Sequence, residues 1–316
     1  MVRASVSLLR RAFMIAENAV VIFTEKADWH SHGLARAIER EGLRPLIRSM
    51  TECGFDLASG RPGLVIPGLE GRLPAAIFVR LIPAGTTEQI TARLGFLHAA
   101  RAMGVAVVND ARAIEVCVDK SMTTAMLAMT GLPTPRTMTA ERPADAERAR
   151  AAIGGDVVLK PLFGAQGKGL MRLAPHDALP APEEVGGLYY LQEFVPSRGS
   201  AAAGGAHDWR VFVLGGRAIG AMIRRSDGWV TNIFQGAQGE AAPIDGEAAA
   251  LAVRAAAAVG ADYAGVDLIE AEDGRFLILE VNSMPAWKGL TTATGIDVAA
   301  ALARDLAGRL ARPDAA

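Results

Sequence analysis

Cysteine is nearly absent: Cys53 and Cys117 are the only two in 316 residues. That excludes a disulfide framework and fits a reducing compartment, so a cytoplasmic location is expected. Charge of one sign is lacking too, with 33 Lys and Arg against 34 Asp and Glu. A general nucleic-acid binder would carry a basic excess, so no nucleic-acid partner is expected. No uncharged apolar run reaches the length of a membrane span, and no membrane partner is expected. What remains is an ordinary globular composition, 51% hydrophobic and 21% charged, long enough for two or three units with their own cores. Residues 1–18 read as an N-terminal extension. Arg10 and Arg11 break the apolar stretch a targeting segment would need, and Met14 offers a second start.

The first third alternates strand and helix patterns. Ala19–Thr24, Arg44–Arg48, Ala75–Arg80 and Val105–Asn109 read as strands. His32–Glu41 and Thr87–Met103 read as helices, stopped by Gly42 and Gly104. This order predicts βαβ units on a parallel sheet, whose carboxyl-end loops usually hold ligand. His30 and His32 fall in one such loop and Arg80 in another. Ser31 is the expected cap of the first helix. Asp110–Thr130 reads as one helix, and Pro133 and Pro135 open a second module. There Val157–Lys160, Leu170–Leu173, Tyr189–Val195, Trp209–Leu214, Arg217–Arg224, Gly265–Ala271 and Arg275–Asn282 predict a largely antiparallel sheet. Ala248–Val259 and Val298–Leu310 are Ala-rich helices, and Ser197–Ala206 reads as a loop rich in small residues.

Gly265–Asn282 is the most informative stretch. Two apolar runs flank Asp273-Gly274, a two-residue hairpin signal. Counting back from that turn sets Asp267 opposite Glu280, with Asn282 on the same face. Opposed like charges weaken a ladder, so a hard divalent cation is a natural occupant. Solvated side chains on an exposed sheet are the other reading, and a one-residue slip would separate the pair. The Gly164–Gly169 segment lacks the spacing of a P-loop and precedes a strand, unlike a dinucleotide fingerprint. It reads as a flap whose backbone N–H groups can fold over phosphates, with Lys160 beside it; a plain hairpin with an exposed lysine is the alternative. Asp208, Arg210, Arg224 and Asn232 add an acid, two guanidiniums and an amide nearby. Gln192-Glu193-Phe194-Val195 closes a strand, where free backbone groups can meet an adenine edge.

Together Asp119-Lys120, Gly131–Pro135, Val158–Pro161 with Gly164–Gly169, Gln192–Phe194, Asp208–Arg210, Arg224, Thr231-Asn232, Gly265–Asp267 and Glu280–Asn282 resemble the ATP-grasp superfamily, in its RimK-like branch of glutamate ligases. The resemblance implies an α/β plus α+β fold. Residues 19–115 would form a parallel-sheet domain, and 116–190 and 191–316 two α+β subdomains clamping ATP. It implies that Lys120 and Lys160 contact phosphates under a flap of Gly164, Gln166, Gly167 and Gly169. Glu193 would hold ribose, Gln192, Phe194 and Val195 would adjoin adenine, and Asp208 and Asn232 would complete the nucleotide site. Arg224, with Arg210 and Lys160, would serve the reacting phosphate and acyl group. Asp267, Glu280 and Asn282 would hold two Mg2+ ions, for which Mn2+ can substitute.

The implied reaction is ATP-dependent amide formation through an acyl phosphate. After Asn282 the chain departs from protein-modifying members. Trp287-Lys288-Gly289 looks more like tetrahydromethanopterin-type cofactor glutamate ligases. His30, His32, Arg80, Trp287 and Lys288 are therefore the expected substrate residues, Trp287 stacking on a ring and Lys288 meeting a carboxylate, against a packing tryptophan beside a surface lysine. The expected substrates are a small-molecule carboxylate and an amino acid. A protein-modifying ligase and a non-catalytic ATP-gated module are the alternatives, and self-association is left open.

Overall fold

Val20, Val21, Ile22 and Phe23 are all fully buried in the computed structural model of the chain. Consecutive burial means that both faces of this strand are covered, which is why its sequence is apolar without alternation. The structure describes residues 15–58, 63–164, 167–200, 205–233 and 236–311. They form two compact units: the residues up to Glu115 with Met284–Thr291 and the stretch from Asp297 on, and Val116–Ser283 with Thr292–Ile296.

The first unit runs β1 (Ile15–Phe23), α1 (Trp29–Arg40), β2 (Arg44–Arg48), β3 (Gly54–Asp56), β4 (Gly63–Val65), β5 (Leu73–Val79), α2 (Thr87–Ala102), β6 (Ala106–Val108) and the start of α3 (Ala111–Val118). Its main sheet is parallel in the order β2-β1-β5-β6, as the βαβ pattern predicts. Two local readings are corrected. β1 starts at Ile15, inside the expected extension, because Ile15 and Ala16 pair with Leu73 and Pro74. α1 is capped by Asp28 rather than Ser31. The Asp28 carboxylate accepts from Ser31 N at 2.8 Å, and Ser31 Oγ accepts from Asp28 N at 2.7 Å, a capping box that moves the helix start upstream.

The second unit continues with α4 (Lys120–Met129), β7 (Thr137–Ala140), α5 (Pro143–Ile153), β8 (Val157–Lys160), β9 (Met171–Leu173), β10 (Tyr189–Glu193), β11 (Ala206–Leu214), β12 (Arg217–Ser226), β13 (Gln238–Ala242), α6 (Glu247–Ala258), β14 (Tyr263–Glu270) and β15 (Phe276–Asn282). The expected helix over Asp110–Thr130 is two helices. Asp119 stops the first and caps the second, accepting from Ser121 N and Met122 N. The expected single antiparallel sheet is also two, β7-β10-β8-β9 and β13-β12-β11-β14-β15. Strand β10 cannot run on into β11, because Glu193 N already donates to Arg136 O and Phe194 N to Asp156 O. Ala146, Ala149 and Ile153 of α5 pack on the first sheet. Leu251, Ala252, Ala255 and Ala256 of α6 pack on the second.

The chain ends with α7 (Lys288–Thr294) and α8 (Val298–Leu310). The span expected as one C-terminal subdomain is thus divided. Met284–Thr291 and α8 return to the first unit, where Ala299 of α8 approaches Gly33 of α1 at 4.0 Å from an ideal Cβ. An apolar face on α8, with Val298, Leu302, Ala303 and Leu306 buried, drives that return. Among the described residues no helix is long and apolar enough to cross a membrane.

Candidate functional site

The hairpin β14–β15 sets Asp267 opposite Glu280, and Gly265 opposite Asn282. The register matches the sequence count, although the turn does not. Ala271 N donates to Arg275 O and Gly274 N to Ala271 O, so the loop has three residues. Gly274 at φ 84° supplies its left-handed position. An extra residue, Leu279, bulges between Ile278 and Glu280 and restores the register lost at the turn. Asp267, Glu280 and Asn282 therefore share one face.

Around Asp267 lies an ionic quartet, with Asp208, Arg224 and Asp267 buried and Arg210 partly so. Arg210 donates to both Asp267 oxygens, from Nε to Oδ1 and from Nη2 to Oδ2 at 2.7 Å. Arg224 Nη2 lies 2.9 Å from Asp267 Oδ2. On its other side Arg224 holds Asp208, through Nε at 2.7 Å to Oδ1 and through Nη2 to Oδ2. The pairing follows from register, since Arg210 opposes Asp267 and Arg224 opposes Asp208. Burial raises the Asp267 carboxyl pKa, but Arg210 and Arg224 outweigh it and hold the group below its ordinary range. Burial likewise opposes the Arg224 charge, and Asp267 and Asp208 outweigh it, raising that pKa.

A cleft of about 500 Å³ opens between the two sheets of this unit, within the size range of small-ligand sites. Lys160, Gly167, Gln192, Glu193, Phe194, Val195, Asp208, Arg224, Asn232, Asp267 and Glu280 all line it. Val158, Leu170, Ile269 and Leu279 give it apolar walls. Half-buried Lys160 donates from Nζ to Gln192 Oε1 at 2.6 Å. Burial, reinforced by Lys120 and opposed by Glu280 and Asp267, brings its pKa down to about 8. Lys120 meets the backbone before the glycine-rich segment, its Nζ donating to Gly164 O at 3.0 Å and to Leu162 O at 3.4 Å. Burial lowers its pKa too, against the pull of Glu280 and Asp119. Gly167 and Gly169 have φ of 69° and 73°, and a Cβ on Gly169 would lie 2.9 Å from Pro161 Cγ. Gln166 lies outside the described residues.

The cleft also recruits residues that the sequence reading missed. Arg136 donates to both Glu193 oxygens at 3.1 Å, and this bond leads the causes that lower the Glu193 pKa. Arg172 lies over the Phe194 ring with Cζ 3.8 Å from its centroid, and Trp229 meets that ring edge-on at 6.1 Å. His207 lines the wall beside Asp208. No local motif marks Arg136, Arg172 or Trp229, because each meets its partner across the fold, whereas His207 simply neighbours Asp208 on β11.

The residues fit a nucleotide with a divalent cation. Two carboxylates and an amide on one face offer hard oxygen donors, and lysines and arginines surround them. Asn282 Nδ2 donates to Gly265 O at 3.3 Å, so its carbonyl oxygen is the atom that would meet a cation. Among the described residues no group of three or more His, Cys, Asp and Glu side chains is placed to hold a metal ion. Thiol chemistry is disfavoured, since burial pushes Cys53 to about 11 and Cys117 to about 12.

The expected substrate residues divide. His30, Arg80, Trp287 and Lys288 come together in the first unit. His30 Nδ1 lies 3.0 Å from Asp28 Oδ2, and His30 Nε2 accepts from Trp287 N and Lys288 N, both at 3.3 Å. Two N–H donors at Nε2 require that the proton sit on Nδ1. Burial lowers the His30 pKa, and Arg80 and Lys288 add to this against Asp28. Trp287 is only 1% exposed, edge-on to His30 at 4.8 Å and beneath Arg80, whose Cζ is 5.2 Å from the indole centroid. It is a packing residue and cannot stack on a substrate ring, which corrects that expectation. Lys288 is exposed. His32 does not join the group: it lies exposed on α1, two residues from His30 and so on another face.

Comparison with known proteins completes the picture. A family model described as the RimK-like ATP-grasp domain matches residues 117–306. A tetrahydromethanopterin:alpha-L-glutamate ligase of Methanosarcina acetivorans is 30% identical, over 88% of this chain and 95% of its own. A probable alpha-L-glutamate ligase of Legionella pneumophila is 32% identical, over 89% of this chain and 92% of its own. Among solved structures, the ATP-grasp ligase PsnB with minimal precursor, Mg and ADP superposes with a TM-score of 0.70 at 22% identity, over 94% of this chain and all (100%) of that one. That likeness speaks to the fold alone. The chain belongs to the RimK-like ATP-grasp family of carboxylate–amine ligases.

Proposed function

We propose that this enzyme joins glutamate, or a similar amino acid, to a small-molecule carboxylate in cofactor biosynthesis, with ATP and Mg2+. The observation that carries the reading is the opposition of Asp267 and Glu280 in a cleft that also holds Lys160 and Arg224. The small-molecule acceptor draws support from the name of the Methanosarcina relative, aligned over nearly the whole of both chains.

In this reading Asp267, Glu280 and Asn282 hold Mg2+, which when bound neutralises phosphate oxygens. Lys160 and Lys120 bring further positive charge to the phosphates, and Val158, Leu170, Ile269 and Leu279 enclose the base. The substrate carboxylate attacks the terminal phosphorus of ATP and ADP departs. The amine then attacks the acyl carbon, phosphate leaves, and an amide remains. Arg224 stands at the wall where negative charge spreads during both steps, and its planar fork suits phosphoryl and carboxylate oxygens. Arg210 acts one step back, holding Asp267 from the strand beside it.

The test is ADP release from purified protein against a panel of acid–amine pairs, with the amide product identified by mass. Release that requires both a small-molecule acid and an amino acid supports the reading. Turnover only with a peptide or protein acceptor would overturn the acceptor class, and nucleotide binding without turnover would overturn the catalytic reading.

A further inference from the structure

Gln192 was expected at the nucleotide, and it lines the cleft, yet it is only 2% exposed and its amide is committed elsewhere. Both amide hydrogens are used: Nε2 donates to Thr137 Oγ1 at 3.0 Å and to Tyr190 OH at 3.2 Å. The carbonyl oxygen accepts from Lys160 Nζ at 2.6 Å. The orientation of the amide is forced, because an ammonium can only donate and must face Oε1. Tyr190, 1% exposed, accepts from Gln192 and can pass its own hydrogen to Thr124 Oγ1, 2.7 Å away on α4. Two side chains, Thr137 on β7 and Tyr190 on β10, thus converge on one amide, with Thr124 on α4 behind Tyr190, and that amide converges on one lysine.

We propose that Tyr190 and Thr137 lock the Gln192 amide so that its carbonyl oxygen positions the Lys160 ammonium, making Gln192 and Tyr190 positioning residues for nucleotide binding rather than groups that touch the nucleotide. This rests on the reading of Lys160 as a phosphate contact. The geometry gives the lock its purpose. Lys160 ends β8, and its long flexible side chain has many rotamers to lose when it binds. An acceptor fixed by two further hydrogen bonds removes that freedom before the ligand arrives, which is preorganisation within a buried and fully satisfied network. The same Tyr190–Thr124 bond ties the lysine to α4, the helix that opens with Lys120.

The experiment is a double-mutant cycle on ADP affinity in Mg2+ buffer, read by calorimetry. Gln192→Leu keeps approximate size and removes the acceptor, and ADP affinity should fall about tenfold, the equivalent of one hydrogen bond to a charged group. Gln192→Glu keeps an acceptor for Lys160 Nζ, and Tyr190 OH can donate to it once Thr124 Oγ1 supplies the hydrogen of their own bond, so its loss should be clearly smaller than that of Gln192→Leu. Tyr190→Phe, which removes only the hydroxyl, should cost roughly threefold to fivefold, a neutral hydrogen bond's equivalent. If Gln192 acts through Lys160, adding Gln192→Leu to Lys160→Met should change nothing further. An undiminished Gln192→Leu effect in the Lys160→Met background would overturn the proposal alone. Unchanged affinity in Lys160→Met by itself would overturn the phosphate reading of Lys160, and the proposal with it. Equal losses in Gln192→Glu and Gln192→Leu would also overturn it.

Discussion

Arg224 joins Asp208 to Asp267, with one guanidinium serving two carboxylates, all three buried. Lysine carries the charge but cannot bridge both acids as a fork. Arg224→Lys should therefore lower kcat and kcat/KM together, by about 100- to 1,000-fold, with ATP affinity nearly intact. Steady-state kinetics with parallel nucleotide titration checks this. A defect confined to ATP affinity would place Arg224 in binding rather than in charge stabilisation.

Asp267→Asn keeps the shape of the side chain and removes its charge. Arg210 and Arg224 would then face an amide, and a cation would lose an anionic ligand. The Mg2+ concentration for half-maximal activity should rise by about tenfold or more. Metal-free ADP binding should change far less. Equal Mg2+ dependence in wild type and variant would remove Asp267 from the metal site.

Lys160 gives a pH dependence with a definite sign. Its pKa in the free protein is about 8, well below that of an exposed lysine, because burial disfavours the charge. Phosphate binds the charged form, so ADP affinity should be flat at neutral pH and weaken as pH rises above about 8. In Lys160→Met this alkaline weakening should vanish. A wild-type curve without it would show that the lysine's proton does not matter to binding.

His30 should destabilise the fold in acid. Its folded pKa is lowered from 6.5, first by burial and then by Arg80. The unfolded chain then binds the proton more readily, so stability is lost as pH falls below 6.5 and is fully present above it. His30→Gln cannot charge, and its thermal midpoint should lack that component of the acid limb. At neutral pH, losing the Nε2 acceptor for Trp287 N and Lys288 N should cost about 1 kcal/mol in His30→Ala. Parallel acid limbs for wild type and His30→Gln would refute the assignment.

Gly169 combines a positive φ with a 2.9 Å approach of its would-be Cβ to Pro161 Cγ. Gly169→Ala should destabilise by roughly 1 kcal/mol or more and weaken ATP binding, since the flap base must shift. An unaltered melting curve would show that the segment tolerates a side chain.

Much of this protein was legible in its sequence, for local reasons. Uninterrupted apolar strands alternating with helices fix a parallel sheet, because both faces must be covered. The strand–glycine–strand spacing of β8 and β9 fixes a hairpin next to Lys160. The facing of Asp267 and Glu280 was legible too, although by compensation. The turn is one residue longer than its Asp273-Gly274 signal suggests, and the bulge at Leu279 takes the residue back. Local pattern could not reveal either event, since a bulge depends on what the neighbouring strand offers.

Tertiary structure alone decided the partners. Nothing near Glu193 in sequence announces Arg136, and nothing near Trp287 announces that Arg80 and His30 cover it. The split of the antiparallel strands into two sheets, and with it the cleft, depends on backbone groups of Glu193 and Phe194 bonding to Arg136 and Asp156. The division has one physical source. Periodicity, caps and turns are written within a few residues, whereas a buried charge must find its opposite wherever the chain brings one close.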